Sequence, residues 1–218
     1  MIEWLTDPLA YTFMQRGMAA ALLVGVLCSI IGVYVVLRSM AFLGDAMAHA
    51  VLPGVAIAYL AGGNLLLGAL VAAIVVALSI SFFSRKGALK EDTAIGILFT
   101  AALALGIALI STIRTYAVDL SHILFGNVLG VSERDLWIAA GIGLVVVVTL
   151  ALAYKPILVV TFDPVLAATL RLRVEFFRGL LLVLLALTIV VSIQTVGVAL
   201  AAAMLVTPAA THHNIGTE

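Results

Sequence analysis

The run "LLLGALVAAIVVALSISFFS", residues 65–84, holds twenty residues and not one charge. Coiled into an α-helix it is about 30 Å long, the depth of a bilayer's hydrocarbon core. Breaks bound it on both sides, "AGGN" at 61–64 and the charged "RKGALKED" at 85–92. The same alternation of apolar block and short break continues in both directions, giving further spans at 16–37, 41–62, 93–113, 135–154, 178–193 and 196–211. Backbone amides in lipid must be satisfied within their own segment, so blocks of this length are read as helices. The expected fold is all-α, a polytopic transmembrane bundle of about seven spanning helices forming one membrane domain over residues 1–218. Composition agrees. With 65% hydrophobic and 10% charged residues, the chain has more apolar surface than a water-soluble domain of its length can bury.

Charge orients the bundle. If residues 85–92 are cytoplasmic, strict alternation puts the 38–40 junction and the whole 155–178 segment on the same side. That side then holds Arg38, Arg85, Lys86, Lys90, Lys155, Arg171, Arg173 and Arg178, against Arg16, Arg114 and Arg134 on the other. The positive-inside rule selects this arrangement and places the N-terminal residues 1–15 outside. A formal charge of zero gives no general attraction to nucleic acid. The single Cys28 excludes an internal disulfide and a cysteine-rich metal site. The acidic start "MIEWLTDPLAYTFMQR" lacks the basic n-region of a cleavable signal peptide. Residues 117–132, "AVDLSHILFGNVLGVS", are broken by Asp119, His122, Asn127 and Gly130 and read as an external interfacial or partly re-entrant helix.

The second block contains "SMAFLGDAMAHAVLPG", residues 39–54, with a carboxylate and an imidazole four positions apart. That spacing puts Asp45 and His49 on one helix face, so both can address the same point. Pro53 has no N–H for the carbonyl of His49, which leaves that oxygen as a third potential donor. Gly44 and Gly54 bracket the stretch with small surfaces that permit close approach. In a soluble helix, Asp45 bonding His49 or capping its helix would account for both residues without chemistry. Inside a membrane the balance changes. An ionisable group there costs on the order of 3 kcal/mol on insertion scales, and such groups mark ion or substrate routes. Oxygen plus imidazole without thiolate suits zinc, manganese or ferrous iron. Two side chains do not complete a coordination shell, so other helices, carbonyls, water or a second subunit must contribute.

No G-x-x-x-x-G-K-[ST] motif occurs, so the chain is not itself a P-loop ATPase and is read as a non-enzyme. It uses an ion gradient, acts as a passive pore, or borrows ATP hydrolysis from another chain. The long break "YKPILVVTFDPVLAATLRLRVEFFR", residues 154–178, contains a short helix candidate opened by Asp163 as N-cap and Pro164 at the first helical position. Carrying Leu166, Leu170 and Leu172 beside Arg171 and Arg173, it reads as a docking surface for a soluble partner or as an amphipathic connector on the membrane.

The runs "MAFLGDAMAHAVLPGVAIAYL", "EDTAIGILF", "LSHILFGNVLGVS", "FDPVLAATL" and "TVGVALAAAMLVTPAAT" resemble successive signatures of the permease subunits of ATP-binding cassette transporters for manganese, zinc and iron. The similarity runs from about Gln15 to Thr211. It implies a multi-pass protein of the cell membrane, in contact with lipid, with no covalently bound cofactor and a divalent metal (manganese, zinc or iron) as cargo. It further implies a second permease subunit forming a homodimer, a cytoplasmic ATPase subunit, and an extracytoplasmic metal-binding protein that delivers the ion. Asp45 and His49 match the family positions of metal passage. Residues 163–173 match the cytoplasmic coupling helix, with Asp163, Pro164, Leu166, Leu170 and Arg171 facing the ATPase.

Two features depart from the family pattern. Arg171 stands where the family commonly has glycine, at the turn closing the coupling helix. The polar tail "HHNIGTE", residues 212–218, replaces the one or two further spanning helices expected there, and its adjacent His212 and His213 share no helix face. The alternative readings are an ion-coupled secondary metal transporter, with Asp45 and His49 as a proton relay, and a truncated non-transporting membrane subunit. Asp119 and His122, at i and i+3, offer an outer ion-collecting pair but on an interfacial helix are read rather as solvated or capping groups, and Glu91 and Asp92 as partners of a helix dipole. Gln194 and Thr195 are assigned to the route or to an interruption between helices, and Pro208 to a kink.

Overall fold

A computed structural model describes residues 11–38, 40–85, 90–112 and 130–197, together with Met204. Nine helices and no strand occur among the described residues: α1 (Thr12–Leu37), α2 (Ala41–Ala50), α3 (Leu52–Leu60), α4 (Leu65–Phe83), α5 (Glu91–Ser111), α6 (Glu133–Leu152), α7 (Tyr154–Phe162), α8 (Pro164–Thr169) and α9 (Val174–Val196). Among the described residues six spans are long and apolar enough to cross a membrane, with α2 and α3 together supplying one of them, Phe42–Leu60. The expected seventh span at 196–211 lies outside the described residues apart from Val196, Gly197 and Met204. So do Asp119, His122, Arg114, Pro208, His212 and His213.

Local chemistry explains the helix starts. Asn64 Oδ1 accepts from the backbone N–H groups of Leu66 and Leu67 at 2.9 and 3.3 Å, capping α4. Ser132 and Asp135 form a reciprocal capping box on α6, Ser132 Oγ accepting from the Asp135 N–H at 3.1 Å and Asp135 Oδ2 from the Ser132 N–H at 3.2 Å. The 155–178 segment corrects the sequence reading, which finds one short helix there. It contains α7 as well, and α9 begins at Val174 rather than near 178. Lys155 and Pro156 fall in the first turn of α7 and Glu175 in that of α9, so none of the three breaks a helix. Pro156 loses only an N–H that has no helical partner, and Glu175 meets the positive end of the α9 dipole.

Central to the bundle is α9. It packs along α4 and α1 and also touches α6, α7 and α2. Accordingly 67% of its span is buried, against 17% for α5, which lies on the rim. The rim helices expose apolar side chains such as Ile97, Leu105 and Ile107 on α5, the surface a lipid-facing helix presents. Polar ties hold each end. Arg38 pairs with Glu91 at 3.2 Å at one end, where most of the basic residues lie. At the opposite end Gln194 Nε2 donates to Asp135 Oδ1 at 3.0 Å, joining α9 to α6, and Arg16 pairs with Glu133 at 3.2 Å. The latter pair is exposed and adds little. The helix ends grouped by these contacts are those that strict alternation puts on common sides.

Candidate functional site

Asp45 and His49 lie on α2, one and two turns in from Phe42, where their span begins. That places them about 5 and 10 Å along the helix from the basic end. Opposite them on α2, Leu43, Ala46, Met47 and Ala50 are buried in the core. Core packing therefore fixes the rotation of α2 and turns the polar pair outward. The side chains of His49 and Asp45 keep 27% and 48% of their surface exposed. The Phe99 ring of α5 stands 6.1 Å from the His49 ring and meets Phe42 edge-on at 5.6 Å, closing one side of the pair. What remains is an open edge between α2 and α5.

The closest approach, His49 Nε2 to Asp45 Oδ1, is 3.7 Å. This exceeds the length of an N–H···O hydrogen bond, so the two groups address a common volume without satisfying each other. Among the described residues no group of three or more His, Cys, Asp or Glu side chains converges. The chain thus brings two donors to this edge. The third donor expected from Pro53, the His49 carbonyl, lies beside an interruption of the helix. The helix breaks at Val51, whose N–H is directed at the His49 carbonyl, and α3 restarts with Pro53 in its first turn.

The break is held from two sides. A Cβ at Gly54 meets the carbonyl oxygen of Gly68, and a Cβ at Gly68 meets that of Gly54, so α3 and α4 touch backbone to backbone. On α5, a Cβ at Gly106 comes within 2.9 Å of Leu52 Cβ and 3.1 Å of the Pro53 nitrogen.

The second candidate element is α8. Asp163 is its N-cap, its Oδ1 accepting from the N–H groups of Val165 and Leu166 at 2.9 Å each, and Pro164 occupies the first helical position. Ala167 is fully buried, while Leu166, Leu170 and above all Val165, which the sequence reading omits, are exposed. The C-terminal end is a Schellman motif. The Leu172 N–H donates to the Ala167 carbonyl and the Arg171 N–H to that of Ala168, both at 3.0 Å, with Arg171 at φ 57°. A residue with a Cβ is strained by about 1 kcal/mol in this left-handed region. Opposite outcomes are expected at the two ends of α8. Arg171→Gly raises stability by up to about 1 kcal/mol, and Asp163→Ala lowers it by about 1 kcal/mol. Thermal unfolding of the purified protein in detergent reads both.

Sequence reasoning misses two polar contacts. It assigns Glu91 to a helix dipole alone, whereas Glu91 also pairs with Arg38, whose side chain is 7% exposed. Burial pushes the Arg38 guanidinium below its ordinary range, Glu91 pulls it back up, and Arg178 nearby lowers it further. Gln194 is held by Asp135 rather than standing free in a route. Thr195 is buried, its hydroxyl bonded to the Val191 and Ser192 carbonyls, and Gly197, with φ 86°, ends the helix just beyond. Neither long-range pair leaves a signal in local spacing.

Six spans of this length and apolarity among the described residues, with a carboxylate–imidazole pair on an open face of one of them, define a multi-pass membrane protein. Comparison with known proteins narrows the class. Residues 10–218 match the model of the ABC 3 transport family. The chain is 51% identical over 203 residues to the manganese transport system membrane protein MntC of Halalkalibacterium halodurans, covering 93% of this chain and 70% of that one. It is 41% identical over 211 residues to a probable iron transport system membrane protein of Haemophilus influenzae, covering 97% and 78%. Among solved structures it is similar to PsaBC from Streptococcus pneumoniae in complex with Fab, with a TM-score of 0.82 and 40% identity over 98% of this chain and 77% of that one. The chain belongs to the ABC 3 transport family.

Proposed function

We propose that the chain is the permease subunit of an ATP-binding cassette importer for a divalent metal ion, manganese or ferrous iron. The similar proteins named for manganese and iron transport support the cargo, and a carboxylate with an imidazole suits both ions while also accepting zinc. The observation that carries the reading is the Asp45–His49 pair, two donors 3.7 Å apart that do not satisfy each other on an open face of a spanning helix. An ionisable pair left in this condition within a membrane is accounted for by a cation that passes between its groups.

Because two donors are too few, a second copy facing the α2–α5 edge supplies the remaining ligands, and the route runs between the copies. Energy enters from a separate cytoplasmic ATPase at α8. The contacts offer a mechanical path from there, since α8 touches α9 and α9 touches α2. Displacement of α8 is thereby passed to the helix bearing the ligands. The break at Val51 lets the inner half of that span move against the outer half, which Gly54 fixes to α4.

The test is uptake of manganese into proteoliposomes holding the permease together with its ATPase subunit. Uptake is expected to stop when ATP is withheld and to persist when the proton gradient is collapsed. Gradient-driven uptake without ATP overturns the reading and favours a secondary carrier.

A further inference from the structure

We infer that Glu91 is a two-position switch at the basic end of the bundle, held by Arg38 in this structure and passed to Arg178 when α9 moves; this rests on the reading of α8 and α9 as the path by which motion reaches the ligand-bearing helix. Arg38 closes α1 just before α2, and Glu91 opens α5. Their 3.2 Å contact therefore ties the foot of α2 to the helix that forms the other side of the open edge. Phe42, between this contact and Asp45 on the chain, meets Phe99 of α5 edge-on at 5.6 Å and continues the tie. The contact is nearly dry, with 7% of the Arg38 side chain and 18% of the Glu91 side chain exposed. For α2 to part from α5, one of these charges must either be stranded in a buried place or be received by a new partner.

New partners stand beside the pair. Arg178 of α9 lies close enough to Arg38 to repel it, and Glu175, three residues earlier on the same helix, close enough to attract it. The Nε of Arg178 is buried and has no hydrogen-bond partner among the described residues. An orphaned buried donor is costly, and a permanent staple gains nothing by keeping one beside it. Two guanidinium groups thus compete for the Glu91 carboxylate, while Glu175 stands near the one that now holds it. A shift of α9 that carries Arg178 onto Glu91 satisfies the orphaned donor, and Glu175 receives Arg38. Both charges of each sign stay paired, so the exchange strands none of them. Two discrete arrangements of one small network are what a displacement of α8, passed along α9, needs in order to release α2 in a single step.

The experiment uses the complete permease with its ATPase subunit in proteoliposomes, reading manganese uptake with and without ATP beside thermal stability in detergent. Arg178→Met removes a group that makes no hydrogen bond in this arrangement, so stability is expected to hold or rise while ATP-driven uptake falls about tenfold, the effect of losing one charge-assisted hydrogen bond in the second arrangement alone. Arg38→Glu and Glu91→Arg each break the buried pair and are expected to lower stability. Combined, they remake the first pair with its charges exchanged but present Arg178 with a like charge. The double variant is therefore expected to regain the stability lost in the single ones without regaining uptake. If uptake returns together with stability, Arg38–Glu91 is a fixed staple and the switch is overturned. Uptake by Arg178→Met at the wild-type rate overturns it as well. If the wild-type assembly itself takes up manganese without ATP, the reading of the chain as an ATP-driven permease falls and takes this inference with it.

Discussion

Asp45→Asn and His49→Ala are each expected to reduce metal uptake about 10- to 100-fold, with the protein still inserted and folded. The magnitude follows from the chemistry of the pair. Asn keeps the volume and one oxygen of the side chain but loses the charge that offsets the dehydration of a divalent cation, and Ala removes the imidazole donor outright. A charge-assisted contact is worth about 1.5–3 kcal/mol, and each 1.4 kcal/mol is about tenfold. Folding survives because the pair contributes little to packing. His49 and Asp45 are 27% and 48% exposed and lie too far apart to bond each other, while the buried face of α2 is built from Leu43, Ala46, Met47 and Ala50. The measurement is accumulation of manganese in cells expressing the complete transporter, with Leu22→Ala on the exposed face of α1 as the control. Uptake at the wild-type level in both variants, at matched expression, removes the pair from the route.

The pair was legible in the sequence because its geometry is local. An i, i+4 spacing fixes a shared helix face whatever the tertiary structure, and the blocks of apolar residues fix the spans by length alone. Rotation of the pair toward the α2–α5 edge was not legible, since it depends on which face of α2 the core claims. The same limit hides Arg38–Glu91 and Gln194–Asp135, whose partners stand 53 and 59 residues apart. At Pro53 the absence of an N–H is legible from the residue type alone, and the structure adds the place of the interruption, Val51, whose N–H points toward the His49 carbonyl. At Arg171 only the structure reveals the left-handed backbone, with φ 57°.

Packing at the break gives the second large effect. Gly54→Val and Gly68→Val are each expected to destabilise the protein by about 3 kcal/mol or more and to remove most of the folded material. Overpacking ordinarily costs about 1–3 kcal/mol because side chains rotate and shift to make room. Here no rotation helps, since the obstruction on each side is a backbone carbonyl oxygen on the facing helix, followed by Ala72 or Ala58 Cβ. Relief requires α3 to leave α4. That movement carries the Val51–Pro53 break with it, against Gly106 of α5, where space is already tight. Even Ala at position 54 or 68 places its Cβ inside this contact, so the loss begins with the first carbon. Gly141→Ala on α6 supplies the contrast, because nothing lies within 4 Å of its added Cβ; it is expected to be neutral or to stabilise by up to about 1 kcal/mol through helix propensity. The melting temperature and the monodisperse fraction in detergent separate the three cases. The Asp45 and His49 variants, by contrast, keep both while losing transport. A Gly54→Val protein that melts with the wild type shows that α3 and α4 stand apart in the folded protein, and the break then loses its fixed point on α4.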